Sequence, residues 1–293
     1  MGFQHNRNRN PPYRWHSSLK PHPNRNLFMS DEIKITEQNG VLTLQLNRPD
    51  LRNAISDAMI ETIVATCDRI NKDMSIGCMV ITGAGEGFCS GGDLKDMVTR
   101  TGHFAGPPIH ARRVYLHGIQ QIPLALYNCQ VPTIAAVNGS AVGAGCDLAL
   151  MCDLRIASEK ASFAESFLRV GLISGDGGAW FLPRRVGLAK ACRMTYTGEF
   201  VKPDKALEWG LVEEVVPHDQ LLPRAHELAA QIAAQPPHAL RMTKQLLRRS
   251  LEMPLVDSLE LAAAMQAISL ETNDHREAFM AFKEKRKPAF TGT

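Results

Sequence analysis

From residue 33 the chain alternates apolar and polar positions with the period of two expected of half-buried strands. The runs are Ile33-Lys34-Ile35-Thr36 and Val41-Leu42-Thr43-Leu44-Gln45-Leu46. Asn39-Gly40 between them accepts the positive φ of a tight turn, so the two runs predict a hairpin. The period then changes. Behind Ser56, a helix-capping residue type, Met59, Ile60, Ile63, Val64, Cys67 and Ile70 recur on one helical face. Cys78-Met79-Val80-Ile81-Thr82 and Thr133-Ile134-Ala135-Ala136-Val137 are unbroken apolar strands, and each runs into a glycine-rich loop, 83–92 and 138–145. A helix is expected to start near Cys146-Asp147. Leu154-Arg155-Ile156-Ala157 and Ser162-Phe163-Ala164 predict two further strands, followed by glycines at 175–178 and a helix at Ala179-Trp180-Phe181-Leu182. Gly106, Pro107 and Pro108 mark a mobile loop ahead of a helix over about 110–127. From about 188 the pattern is mainly helical, interrupted by the apolar segment from Leu211-Val212 to Val215-Val216. Strands alternating with helices early, and helices late, predict an α/β domain with a helical C-terminal part. The expected units are 1–30, an extension; 31–225, the core; and 226–293, the helical region.

Composition adds class and compartment. The 293 residues are 44% hydrophobic and 22% charged, with a net charge of +3, as in a soluble globular protein with a sizeable core. No run approaches the roughly 18 apolar residues of a membrane-spanning helix. Seven cysteines, an odd number without a CxxC pair, read as reduced and mostly buried thiols, which makes the cytoplasm the expected compartment. The charge is uneven. Residues 1–30 hold Arg7, Arg9, Arg14, Lys20 and Arg25 with no acid, and they predict a disordered basic extension. The remainder is near neutral, which argues against a nucleic-acid partner.

Several chemistries are excluded by motif: there is no GxGxxG, GxxxxGK[ST], HExxH or GxSxG, and no Cys/His spacing for zinc. What stands out is a pair of strand–glycine loop–helix junctions, Phe88-Cys89-Ser90-Gly91-Gly92-Asp93-Leu94 and Gly143-Ala144-Gly145-Cys146-Asp147. Free backbone N–H groups at such junctions, with a helix dipole behind them, suit a developing anion. Glycines that only permit tight turns are the competing reading.

These residues resemble the enoyl-CoA hydratase/isomerase (crotonase) family. Leu46-Asn47-Arg48-Pro49 with Arg52-Asn53-Ala54, the block at 88–94 and the block from Asn138-Gly139 to Cys146-Asp147-Leu148-Ala149 match its signatures in order. So do Val170-Gly171-Leu172, Thr197-Gly198-Glu199, the segment from Ala206 to Val216-Pro217, and Phe282-Lys283-Glu284-Lys285-Arg286-Lys287-Pro288. The resemblance implies a core of repeated ββα units, a helical trimerisation region, and a homotrimer or a dimer of trimers. It implies an acyl-CoA substrate, with coenzyme A carried as part of that substrate and neither a separate cofactor nor a metal. By position, Gly92 and Ala144 supply the N–H groups of an oxyanion hole for the thioester carbonyl. Arg52, Ala54, Ser90, Asp93 and Leu94 lie where the family holds the CoA nucleotide and pantetheine. Phe282 and Lys285 match positions that reach CoA from the C-terminal helix.

The acid–base residues depart from the family's hydratases, which use two glutamates. The first position holds Asp147 and the second Phe167, which cannot transfer a proton. Asp147 is the leading acid–base candidate, with a first-turn charge on the helix dipole as its alternative. Glu165, two residues before Phe167, and Asp176, in Ser174-Gly175-Asp176-Gly177-Gly178, are the carboxylates able to compensate. Asp176 also fits a helix cap, and His103 and His110 read as solvated loop residues. The expected activity is double-bond isomerisation or hydration of an enoyl-CoA through a thioester enolate. The alternative is a CoA-binding homologue with weak or different activity: C–C or thioester hydrolysis, or RNA association through the basic extension.

Overall fold

The computed structural model describes residues 31–92, 98–99, 101 and 107–293. The basic extension and the candidates Asp93, Leu94 and His103 lie outside the described residues.

The core is a six-stranded sheet in the order β1-β2-β3-β4-β6-β8, with a two-stranded sheet, β5-β7, beside it. Strands β1 (Ile33–Gln38) and β2 (Val41–Leu46) form the expected antiparallel hairpin, with positive φ at Asn39 and Gly40. Strands β3 (Cys78–Gly83), β4 (Thr133–Val137), β6 (Leu154–Ser158) and β8 (Glu214–Val216) then add in parallel. Twice a strand of the main sheet is followed at once by a strand of the small one and then by a helix. β4 leads to β5 (Ser140–Val142) and helix Ala144–Met151; β6 leads to β7 (Ser162–Ala164) and, after a short 3-10 turn, helix Gly178–Val186. The ββα repeat of a crotonase-like fold is therefore present.

Strands β3 and β4 are buried along their whole length, which explains their unbroken apolar sequence. One face packs on helix Asp57–Lys72 through Met59, Ile60, Ile63, Cys67 and Ile70. Ser56 caps that helix by accepting the Met59 N–H at 3.2 Å. The other face of the sheet, with Val41, Val80, Ile134 and Ile156, is covered by Leu221, Ala225 and Ala229 of helix Leu221–Ala233. That helix runs across the boundary expected at 225 and belongs to the core, so the helical region begins with Pro237–Ser250 and continues as Leu255–Leu270 and Asn273–Glu284.

Three local expectations change. The helix expected over 110–127 is two helices, Pro108–His117 and Gln121–Asn128, separated at Gly118. The helix expected near Cys146 starts earlier, at Ala144, because Gly143 (φ 53°, ψ −123°) adopts the backbone turn just before it. Asp176 caps nothing: Gly177 is the cap residue of helix Gly178–Val186, and the Asp176 side chain takes no helix N–H.

Candidate active site

The two glycine junctions meet at the ends of β3 and β4. A Cβ on Gly91 would fall 2.7 Å from Val142 O and 3.1 Å from Ala144 N, so glycine is required for this approach. The Val142 N–H donates to Cys89 O at 2.9 Å and fixes the register of the two segments. Asn138 braces the first loop: its Oδ1 accepts from Gly83 N–H at 3.1 Å, and its Nδ2 donates to Gly85 O at 2.9 Å and Gly87 O at 3.1 Å. Asn53 does the same from the other side, donating to Ala84 O and Gly87 O at 2.9 Å each. Ser90 N–H donates to Arg52 O at 3.0 Å, Ile55 N–H to Gly91 O at 2.8 Å, and Arg48 Nη1 to Ala54 O at 2.7 Å. Arg52, Ala54, Ser90, Gly92 and Ala144 thus come together from three distant stretches of chain.

Neither the Gly92 nor the Ala144 N–H donates to a backbone carbonyl among the described residues. Ala144 also opens a helix, whose dipole adds partial positive charge at that end. Two free donors so placed suit an anionic oxygen.

Three carboxyl groups cluster behind this point. Asp147, in the first turn of helix Ala144–Met151, is 0% exposed, Glu165, just past β7, is 1% exposed, and Asp176 is 6% exposed. Ser174 Oγ donates to Asp147 Oδ2 at 3.2 Å and accepts the Ala179 N–H at 3.1 Å, joining this carboxyl to the start of the next helix. Burial, and then the adjacent Glu165, push the Asp147 carboxyl well above the usual range. Burial raises Glu165 as well. Close carboxyls in a dry site cannot all ionise, so Asp147 and Glu165 hold a proton between them. Asp176 is pushed up to about 7, by burial first and then by Asp147. A carboxyl poised near neutral pH can both take and return a proton.

Phe167 opens the short 3-10 turn that follows β7. The edge of its ring, Cζ and Cε1, comes within 3.7 and 3.8 Å of where a Cβ of Gly143 would stand, so the ring lies against the segment that leads into Ala144. Cys89 and Cys146 are buried and unreactive: burial raises Cys89 to about 12 and Cys146 well above its ordinary value.

Residues 36–293 match the family model for enoyl-CoA hydratase/isomerase. The chain belongs to the enoyl-CoA hydratase/isomerase family. It is 37% identical over 256 residues to the 1,2-epoxyphenylacetyl-CoA isomerase of Escherichia coli, covering 87% of this chain and 96% of that one. It is also 37% identical to the 2,3-dehydroadipyl-CoA hydratase of the same organism, covering 89% of this chain and 99% of that one. The crystal structure of an enoyl-CoA hydratase from Bacillus anthracis superposes with a TM-score of 0.84 at 33% identity, covering 89% of this chain and all of that one. This family member is therefore a hydratase/isomerase-type enzyme, and no helix among its described residues is long and apolar enough to cross a membrane.

Not every residue expected in the site arrives there within one chain. Phe282 is largely exposed, and Lys285 ends the last helix with a left-handed backbone; among the described residues, no hydrogen bond or ion pair joins either side chain to Arg52, Ala54 or Ser90. His110 is exposed. Conversely, Ser174 and Gly178 shape the carboxyl cluster without having been singled out. The signal for Ser174 was present in sequence, as a capping residue type before a helix, but Asp176 competed for that role.

Proposed function

We propose that the enzyme moves the double bond of an enoyl-CoA through a dienolate, with Asp176 as the proton carrier. The observation that supports this reading is the cluster itself: a carboxyl held near pH 7 next to two fully buried acids, with a phenylalanine where a hydratase has its second carboxylate. The thioester carbonyl accepts from the Gly92 and Ala144 N–H groups. Ionised Asp176 removes a proton from one end of the three-carbon unit, electrons flow to the carbonyl oxygen, and the carboxylic acid so formed returns the proton to the other end. Each oxyanion donor is worth roughly 10²–10³ in rate. Asp147 and Glu165 keep their shared proton and hold the site at a charge that keeps Asp176 basic only near neutrality. Phe167 excludes the water that a second carboxylate would activate. Coenzyme A enters as part of the substrate, and Arg52, Ala54 and Ser90, together with Asp93 and Leu94, are positioned along the chain to take its nucleotide and pantetheine.

Hydration of the enoyl-CoA is the second reading, favoured by the hydratase relative at 37% identity. In that reading Asp147 activates the water. Incubation with 2-enoyl- and 3-enoyl-CoAs in D₂O separates the two. Isomerisation exchanges the α- and γ-protons and yields no 3-hydroxyacyl-CoA, whereas a dominant hydrated product overturns it. In either reading Asp176→Asn is expected to reduce proton exchange.

We further propose self-association into trimers or pairs of trimers through the C-terminal helices. Helix Leu255–Leu270 buries none of its residues, and Leu255, Val256, Leu259 and Ile268 stand exposed. Leaving such a stripe in water is unfavourable. The same assembly would let Phe282 and Lys285 reach a neighbour's CoA. Light scattering on the purified protein measures the mass directly.

A further inference from the structure

The loop that carries Asp176 runs from Ser174 to Gly178, and a single hydroxyl both closes it and ties it to the oxyanion segment. Ser174 Oγ accepts the Ala179 N–H at 3.1 Å, which clasps the two ends of the loop around the acid. The same oxygen donates its proton to Asp147 Oδ2 at 3.2 Å. Asp147 lies in the first turn of helix Ala144–Met151, the helix that Ala144 opens, so the loop is joined to the element presenting an oxyanion donor. A second tie comes from Gln120, between helices Pro108–His117 and Gln121–Asn128, whose Nε2 donates to Gly175 O at 2.8 Å. Packing leaves the loop little room. A Cβ on Gly175 would meet Tyr115 Cε1 at 3.0 Å, and one on Gly178 would stand 1.9 Å from Asp147 Oδ1.

We propose that Ser174 is a positioning residue for the proton carrier: its hydroxyl sets where Asp176 stands relative to the oxyanion donors, and Gln120 steadies the same loop. Removing a proton beside a thioester carbonyl needs the oxygen in the hole and the carbon against the base at the same moment, so the two groups must keep a fixed separation. A serine hydroxyl has one proton to give and lone pairs to receive with, and Ser174 uses both roles at once. Alanine at 174 loses both bonds together. The loop then keeps the Gln120 bond at Gly175 but loses its clasp and its link to helix Ala144–Met151. The Asp176 carboxyl is still present and still buried, but its place relative to the hole is no longer set.

This inference rests on Asp176 being the proton carrier, and the test separates the two. kcat and KM for one enoyl-CoA are measured at pH 8, where Asp176 is largely ionised, for wild type, Ser174→Ala, Asp176→Asn and the double variant. Thermal melting confirms that each is folded. Ser174→Ala is expected to lower kcat about 10- to 100-fold, as a misplacement of about 1 Å does, with KM within a few-fold because Arg52, Ala54 and Ser90 are untouched. In the Asp176→Asn background the same change should cost less than about threefold, since no carboxylate is left to misplace. Gln120→Met keeps the side-chain bulk, loses the donor and loosens the loop from outside the carboxyl cluster, so it provides the test if Ser174→Ala unfolds. It too should lower kcat with KM held, and wild-type kcat there overturns the positioning of Asp176 by the ties of its loop. Wild-type kcat in a folded Ser174→Ala overturns the role of Ser174, and so does an equal loss in both backgrounds. Full activity in Asp176→Asn overturns the carrier reading itself, whatever Ser174→Ala does.

Discussion

Gly178 lies directly over the Asp147 carboxyl: a Cβ at residue 178 would stand 1.9 Å from Asp147 Oδ1 and 2.7 Å from Ser174 Oγ. No alanine fits there without moving the acid or its donor. Gly178→Ala is therefore expected to displace Asp147 and weaken the hydrogen bond from Ser174. A shift of about 1 Å near reacting groups costs on the order of 10² in rate, while overpacking removes about 1–3 kcal/mol of stability. Acyl-CoA binding should survive, because Arg52, Ala54 and Ser90 are untouched. Unchanged turnover with the variant folded would show that Asp147 need not be held where it is.

The raised Asp176 makes stability depend on pH in a definite direction. Its folded value of about 7 lies above the ordinary aspartate value of 3.8, so between those limits the native state holds a proton that the unfolded chain releases. Stability consequently falls as pH rises from about 4 to 7. Asp147 and Glu165, also raised, act in the same sense. Roughly three units at about 1.4 kcal/mol each set an upper limit near 4 kcal/mol for Asp176 alone. Asp176→Asn should melt higher than wild type at pH 8, with the difference vanishing near pH 4; a wild type that gains stability over this range would contradict the buried cluster.

How far these features could be read from sequence differs from residue to residue. The hairpin at Asn39-Gly40, the Ser56 cap and the buried strands depend on local pattern, and each appears in the structure as the pattern predicts. Asp147 and Glu165 were identifiable as carboxylates near a glycine junction, but their contact with each other was not, because 17 intervening residues form a helix and two strands before returning. Asp176 reads equally as a cap or a site residue in sequence; the structure excludes the cap because Gly177 occupies that position. Tyr115 carried no signal at all. Its ring packs on Gly175, 60 residues away, and only tertiary packing brings the two together.

A buried ion cluster attaches the first C-terminal helix to the core. Lys244 Nζ donates to Val131 O at 2.6 Å and pairs with Asp153 Oδ2 at 2.7 Å, while Arg248 Nη2 pairs with Asp153 Oδ1 at 2.6 Å. Burial alone would raise Asp153, yet the two cations hold it at about 2. Lys244→Met removes one of the two cations, leaving Asp153 Oδ2 with the Thr133 N–H and hydroxyl alone and Val131 O with only the Cys129 thiol, a loss of about 3 kcal/mol. Urea denaturation should show a lowered midpoint with little change in slope. A neutral effect would mean that Arg248 alone suffices to neutralise Asp153.

The edge of the Phe167 ring against Gly143 permits a test of reaction choice by a single substitution. Water can add to an enoyl-CoA only if it reaches the β-carbon and loses a proton to a base there, and a phenyl ring provides neither space nor base. Phe167→Glu supplies both at this position. A new acid beside Asp147, Glu165 and Asp176 also adds like charge, so its own ionisation is opposed and its effect should grow with pH. The ratio of 3-hydroxyacyl-CoA to isomerised product, measured from one 2-enoyl-CoA, is therefore expected to rise in Phe167→Glu and to rise further between pH 6 and 8. Phe167→Leu opens comparable space without a base and should leave the ratio low. Equal hydration in the two variants would mean that access of water, and not the missing carboxylate, separates isomerisation from hydration in this site.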